Sequence, residues 1–180
     1  HNQWYQCDAC EINLETRSDT THVCTNCSRV YSGYPYDDVI YARKHAANLR
    51  AAREAGWAYA ITQDERYARY TRDILVGYGE RYRTYPYHAN GADHFIYAAL
   101  SGGRLFEQTL NEGSRLATDI GPAYDLVYGS ESLTEQDHRT IQKGLLRPMA
   151  GNVWKARFGK NNWQSWHNAG IFWAGALLGP

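Results

Sequence analysis

Residues 161–168, Asn161-Asn162-Trp163-Gln164-Ser165-Trp166-His167-Asn168, crowd amides, an imidazole and two indoles into one short stretch. Amides can bond a polar ligand. The imidazole can move a proton near neutral pH, and indoles can stack on the flat face of a ring. The stretch runs directly into the apolar segment from Ala169 to Leu178. Burying unpaired amides and an imidazole costs a few kcal/mol. The economical reading is a cleft in which a polar ligand completes these groups. The competing reading is a polar helix start whose Asn and Ser side chains cap the backbone.

A second chemical signal lies near the other end. Cys7-x-x-Cys10 and Cys24-x-x-Cys27 form two knuckles separated by 13 residues. Each knuckle aims two thiolates at one centre, and two knuckles complete a tetrahedral sulfur site for zinc. With four thiolates on the ion, no position is left for substrate, so the zinc would be structural. The segment is short and polar, and metal binding would supply its folding energy. Two disulfides or a redox pair are the alternatives; neither explains two matched knuckles.

Other candidates are less specific. His88 sits in Tyr85-Pro86-Tyr87-His88, a loop position where a helical scaffold places functional groups. Asn90, Asp93 and His94 follow in the same loop. Arg104, Gln108 and Glu112 are spaced four apart and predict one face of a helix, as a ligand-binding row or a solvated hydrogen-bonded one. Asp93, Glu112, Asp119 and Asp125 could supply a glycosidase carboxylate pair, but their spacing gives no positive sign. The chain lacks G-x-S-x-G, the phosphate loop, H-E-x-x-H and G-x-G-x-x-G, so serine-hydrolase, nucleotide and zincin readings lack their signature.

Elements must position these groups. The chain has 180 residues, enough for a real core. Lys plus Arg and Asp plus Glu balance at 19 each, which gives no argument for nucleic acid. Six Trp and 15 Tyr suit a protein that stacks on sugar rings. The longest apolar run is too short to span a bilayer. The start at His1 and the stop at Gly179-Pro180 read as a cut chain. Residues 1–36 form the zinc-knuckle segment with its four cysteines. From Asp37 the pattern turns helical, with helices expected over 39–61, 65–82, 104–126 and 134–155 and a fifth over the final apolar segment. Bends are expected at Gly121-Pro122 and Pro148, and Ser132 with Glu135 reads as a capping box. The fold class is mainly α, with antiparallel helix pairs that suit a bundle, a solenoid or an α/α toroid.

Several stretches carry a resemblance. They are Cys24-Thr25-Asn26-Cys27 through Tyr31-Ser32-Gly33-Tyr34-Pro35-Tyr36-Asp37, the helix Asn48 to Tyr59 with Asp64-Glu65-Arg66-Tyr67, and Gly77-Tyr78-Gly79-Glu80-Arg81-Tyr82 with Tyr85-Pro86-Tyr87-His88. Gly102-Gly103-Arg104-Leu105-Phe106-Glu107-Gln108-Thr109-Leu110-Asn111-Glu112 and Asn162-Trp163-Gln164-Ser165-Trp166-His167-Asn168-Ala169 are the most specific. Together they resemble the N-terminal part of heparinase II/III-like polysaccharide lyases, which are related to alginate lyases. The resemblance implies an incomplete α/α toroid over residues 37–180, a periplasmic or secreted location, and β-elimination on an anionic uronic-acid polysaccharide or oligosaccharide. Heparin, chondroitin, hyaluronan and alginate all qualify. It implies Asn162 as neutraliser of the uronate carboxylate and His167 as proton-transfer partner, with Gln164 and Asn168 as competitors. Arg104, Gln108, Tyr87, His88, Trp163 and Trp166 would bind substrate. A catalytic Tyr and a β-sandwich would lie in a remaining part of the same enzyme. A non-catalytic glycan-binding helical domain and a zinc-stabilised helical interaction module are the readings from other classes.

Overall fold

The computed structural model describes residues 5–88, 102–156 and 159–179. The chain divides into two compact units, His1–His45 and Ala46–Pro180. Asn90, Asp93 and His94 lie outside the described residues.

The first unit holds a three-stranded antiparallel sheet, β1 (Glu15–Ser18), β2 (Thr21–Val23) and β3 (Val30–Tyr31), in the order β1-β2-β3. Glu15 pairs with Val23 and His22 with Tyr31. Its small core gathers Tyr5, Cys7, Leu14, Cys24 and Ile40. Buried His22 crosslinks this unit: Nδ1 lies 2.7 Å from the Tyr5 hydroxyl and Nε2 2.9 Å from Asp37 Oδ1. Asp37 belongs to the first turn of α1 (Tyr36–Thr62), which begins here and runs on into the second unit.

The second unit is helical. α2 (Glu65–Arg81) opens on Asp64, whose carboxylate accepts the Arg66 N–H at 2.9 Å. A 3-10 turn, Tyr82–Thr84, closes it. α3 (Thr109–Arg115) passes through a π turn (Leu116–Ile120) into α4 (Gly121–Val127). α5 (Glu135–Thr140) does the same through a second π turn (Ile141–Leu146) into α6 (Arg147–Lys155). α7 spans Asn162–Leu178. Among the described residues no helix is long and apolar enough to cross a membrane.

Both expected bends are these π turns, and proline explains them. Each turn ends two residues before a proline, and the residue between closes it: Gly121 N–H reaches back to Leu116 O and Arg147 N–H to Gln142 O. Pro122 has no N–H for the Thr118 carbonyl and its ring crowds that oxygen, so the chain widens by one residue. Arg53 Nη1 donates to Thr118 O instead, at 3.3 Å. Arg53 also meets buried Asp119 at 3.0 Å, and Arg115 holds the same carboxylate at 2.7 Å.

Three expectations are corrected. The third helix starts at Thr109 rather than Arg104, because the Arg104 and Leu105 N–H groups bond the Glu112 side chain instead of a helical carbonyl. The capping box of α5 is Thr134 with Asp137, since the Ser132 hydroxyl is drawn to Glu65. The fifth helix begins at Asn162, so the polar motif is its first turns rather than a loop before it.

Glycines bring helices into backbone contact at two crossings. An ideal Cβ on Gly170 of α7 would lie 2.5 Å from the Gly113 carbonyl of α3, and one on Gly144 would lie 2.1 Å from the Gly79 carbonyl of α2. By contrast, a Cβ on Gly175 meets nothing within 4 Å. Gly170→Ala should therefore cost about 1–3 kcal/mol in urea unfolding through forced separation. Gly175→Ala should raise stability by roughly 0.5–1 kcal/mol through helix propensity. Equal shifts in the two variants would refute the close crossing.

Candidate functional site

The two cysteine knuckles are built alike. Cys7 N–H donates to Ile12 O and Glu11 N–H returns to Cys7 O, both at 2.9 Å; Cys24 N–H donates to Arg29 O and Ser28 N–H returns to Cys24 O, again at 2.9 Å. Glu11 and Ser28, each four residues after the first cysteine, share a left-handed backbone with φ of 54° and 59°. The repeated turn curls each thiol pair inward. All four Sγ atoms lie within 4.8 Å of one another, an arrangement that could hold a metal ion. Cys7 and Cys27 Sγ stand 3.6 Å apart. A tetrahedral zinc with bonds of about 2.3 Å sets sulfurs about 3.8 Å apart, whereas a disulfide needs about 2 Å. Outer partners are in place: Tyr31 Oη donates to Cys7 Sγ at 3.1 Å and Asn26 Nδ2 to Cys10 Sγ at 3.3 Å. The Tyr31 hydroxyl, against opposing burial, holds the Cys7 thiol down to about 6, which favours a thiolate ligand.

In the second unit α7 distributes the polar motif around its axis. His167, Gly170 and Ala174 form its buried face. His167 is fully buried, with Nδ1 3.1 Å from the Ala156 carbonyl. Burial pushes its pKa below the ordinary value, against the opposing influence of the Ala156 and Thr109 backbone, and so favours the neutral imidazole. Asn162 and Trp166, one turn apart, lie on an exposed flank. Gln164 and Asn168 lie on the other flank, where Gln164 Nε2 donates to Asn168 Oδ1 at 2.9 Å. Trp163 is half-buried. Asn161 caps the helix by accepting the Gln164 N–H at 3.0 Å, and Ser165 Oγ bonds its carbonyl. The capping reading thus accounts for Asn161 and Ser165, whereas Asn162 is exposed with no side-chain partner among the described residues.

Arg104, Tyr87 and His88 come together. The Arg104 guanidinium carbon stands 3.9 Å from the Tyr87 ring centroid. Arg104 Nη1 donates to Arg83 O at 3.2 Å and to Tyr85 O. His88 N–H donates to Gly103 O at 2.9 Å, and His88 Nε2 lies 3.1 Å from Arg104 O. Gln108 is the residue before α3 and its side chain does not cap that helix. From sequence alone Glu112 belongs to a ligand-binding or solvated row, or to a glycosidase carboxylate pair. It is instead fully buried, as are Tyr82 and Asp119. Its one sequence signal is the Gly-Gly pair before Arg104, which marks a turn tight enough to need an anchor.

The chain is related in sequence to polysaccharide lyases. Over 107 residues it is 34% identical to an exo-oligoalginate lyase of Saccharophagus degradans, and to the same extent to an alginate lyase of Stenotrophomonas maltophilia. That stretch is 59% of this chain but 13% of either relative. No protein-family profile matches the chain.

Because His167 is depressed in the folded state, it contributes stability that is complete above its ordinary value of 6.5 and is lost as pH falls below that value. Glu112, raised by burial, has the opposite sign: its contribution is present at low pH and fades as pH rises. Urea midpoints of wild type and His167→Gln, compared from about pH 7 to about pH 5, should show a steeper acid loss in the wild type. Parallel profiles would refute the depressed imidazole.

Proposed function

We propose that this chain is the N-terminal part of a polysaccharide lyase of the heparinase II/III-like group, built on an α/α toroid. Its substrate would be a uronic-acid polymer or oligomer of the alginate kind, cleaved by β-elimination. The similarity to two alginate lyases carries the reading. Elimination needs the uronate carboxylate neutralised so that its C5 proton becomes acidic, a base for that proton, and an acid for the departing glycosidic oxygen. Asn162 would bond the carboxylate. Its exposure and lack of a side-chain partner support this over Gln164, whose amide already bonds Asn168. Trp166, one turn on and 41% exposed, would stack on the sugar ring. Arg104 with Tyr87 and His88 would bind a second acidic unit, with Gln108, Trp163 and Asn168 at the edge of the site. His167 would serve the proton transfer, its neutral imidazole being the form that accepts a proton. The complete reaction would draw on a remaining part of the enzyme, including a Tyr, and a periplasmic or secreted location suits such a substrate.

We assign the cysteine cluster a structural zinc. Four thiolates would fill a tetrahedral shell, and the ion would fix the small unit whose core is a handful of side chains. A glycan-binding domain without catalysis is the second reading, favoured by one observation: His167 is fully buried with Nδ1 on the Ala156 carbonyl, the geometry of a strut.

The longest form of the protein should raise the ultraviolet absorbance of unsaturated uronate when mixed with alginate oligomers, and do nothing to a neutral glucan. Asn162→Ala should lower kcat/KM about a hundredfold or more, as loss of a transition-state donor does, with unchanged unfolding because Asn162 is exposed. His167→Gln should remove the acid limb of the kcat profile if His167 transfers the proton. Binding without any absorbance rise would establish the glycan-binding reading, and neither response would reject both.

For the metal, chelation or Cys24→Ser should abolish the ordered first unit and release about one zinc per chain. Purified protein with no metal and two disulfides would reject the assignment.

A further inference from the structure

Glu112 is fully buried and is the meeting point of four donors. Oε1 accepts the backbone N–H groups of Arg104 at 2.6 Å and Leu105 at 3.0 Å. Oε2 accepts the Tyr82 hydroxyl and Asn152 Nδ2, each at 2.9 Å. A buried carboxylate stripped of partners is strongly destabilising, so this full set of donors is the condition for its presence.

Two of the donors are consecutive backbone N–H groups of a non-helical turn, and that turn carries Arg104. It fits tightly. An ideal Cβ on Gly102 would fall 2.1 Å from the His88 carbonyl, and one on Gly103 would fall 2.4 Å from Phe106 O and 2.9 Å from Glu112 Cδ. His88 is bonded to the same turn through Gly103 O and Arg104 O, and the Arg104 guanidinium lies over Tyr87. The acidic group therefore holds the backbone of the basic one, while the guanidinium makes its own contacts with Arg83 O, Tyr85 O and the Tyr87 ring.

We propose that Glu112 is a positioning residue: its carboxylate fixes the Gly102–Leu105 turn and so presents Arg104, stacked on Tyr87 beside His88, as a preformed arm for an acidic saccharide. The inference rests on the uronate-binding reading of this site. Fully buried, Glu112 would act on the saccharide only through the backbone of Arg104 and Leu105. Preorganisation of this kind lowers the ordering cost of binding.

Amide hydrogen exchange and alginate-oligomer affinity, measured on the whole chain, test it. Glu112→Gln keeps an oxygen for the two N–H groups, and the Asn152 amide can turn over to accept from the new NH2. Exchange and affinity should stay within about threefold of wild type. Glu112→Ala removes the acceptor. Exchange at Arg104 and Leu105 should accelerate about a hundredfold, and affinity should fall about tenfold. If Glu112→Ala does not fold, Glu112→Asp, one methylene shorter, should show the same two losses with its helical circular dichroism intact. Unchanged protection of the two amides in the folded variants overturns the anchor. Faster exchange with undiminished affinity overturns the positioning role. A wild-type chain that binds no alginate oligomer rejects the uronate reading itself, and the exchange data then stand apart as a test of the anchor.

Discussion

The second unit turns on what happens at three residues of the seven-residue helix α3. Thr109, Glu112 and Gly113 are all buried. Gly113 lets α7 approach until backbones touch, with His167 Cα 3.2 Å from where its Cβ would stand. The Thr109 backbone stands close enough to the His167 ring to favour its charged form. Glu112 holds the Arg104 turn. The two motifs that look most chemical in the sequence, around Arg104 and around His167, are thus fixed by adjacent residues of one short helix. Displacing α3 would move both. A helix this short has little stability of its own; the π turn behind it and the glycine crossing with α7 keep it in place.

The first unit solves a different problem. Its buried apolar set is small, and a domain of that size ordinarily lacks the surface burial to fold alone. Polar crosslinks make up part of the shortfall. His22 is bonded on both nitrogens, to Tyr5 and to Asp37, so one imidazole ties the segment before the sheet, β2 and the first turn of α1 together. The twin knuckles add the second set of constraints, each through the same pair of backbone hydrogen bonds. A metal held by all four thiolates would join both knuckles and so supply the remaining folding energy.

What could be read from the sequence was what depends on local chemistry. The cysteine spacing led to the cluster, the prolines to the π turns, and the change of pattern after residue 36 to the helices. The starts of α3 and α5 and the burial of Glu112 were not legible, for one shared reason: in each case a side chain distant in sequence outcompetes the local rule. Arg104 and Leu105 carry good helical spacing, but a carboxylate at position 112 takes their N–H groups first. Ser132 has the look of a cap, but Glu65 takes its hydroxyl. His167 likewise reads as a proton-transfer group facing a cleft, and its full burial was not legible because a glycine on another helix, Gly113, sets the crossing that turns it inward.

That inward turn bears on how the polar motif could handle a substrate. A helix cannot present all of Asn162, Gln164, Trp166, His167 and Asn168 to one ligand, since successive residues are about 100° apart. With His167 at the centre of the buried face, the amides are forced onto two flanks. One flank satisfies itself through Gln164 and Asn168. The other leaves an amide and an indole in register, Asn162 and Trp166, with no bond between them and both exposed. An acidic sugar has the matching pair of features, a carboxylate to bond and an apolar ring face to cover. In the proposed reaction His167 would act from the buried face, next in sequence to Trp166 of that flank. A proton transfer there requires the crossing of α3 and α7 to hold the ring edge still, so the same contact that buries the imidazole would also aim it.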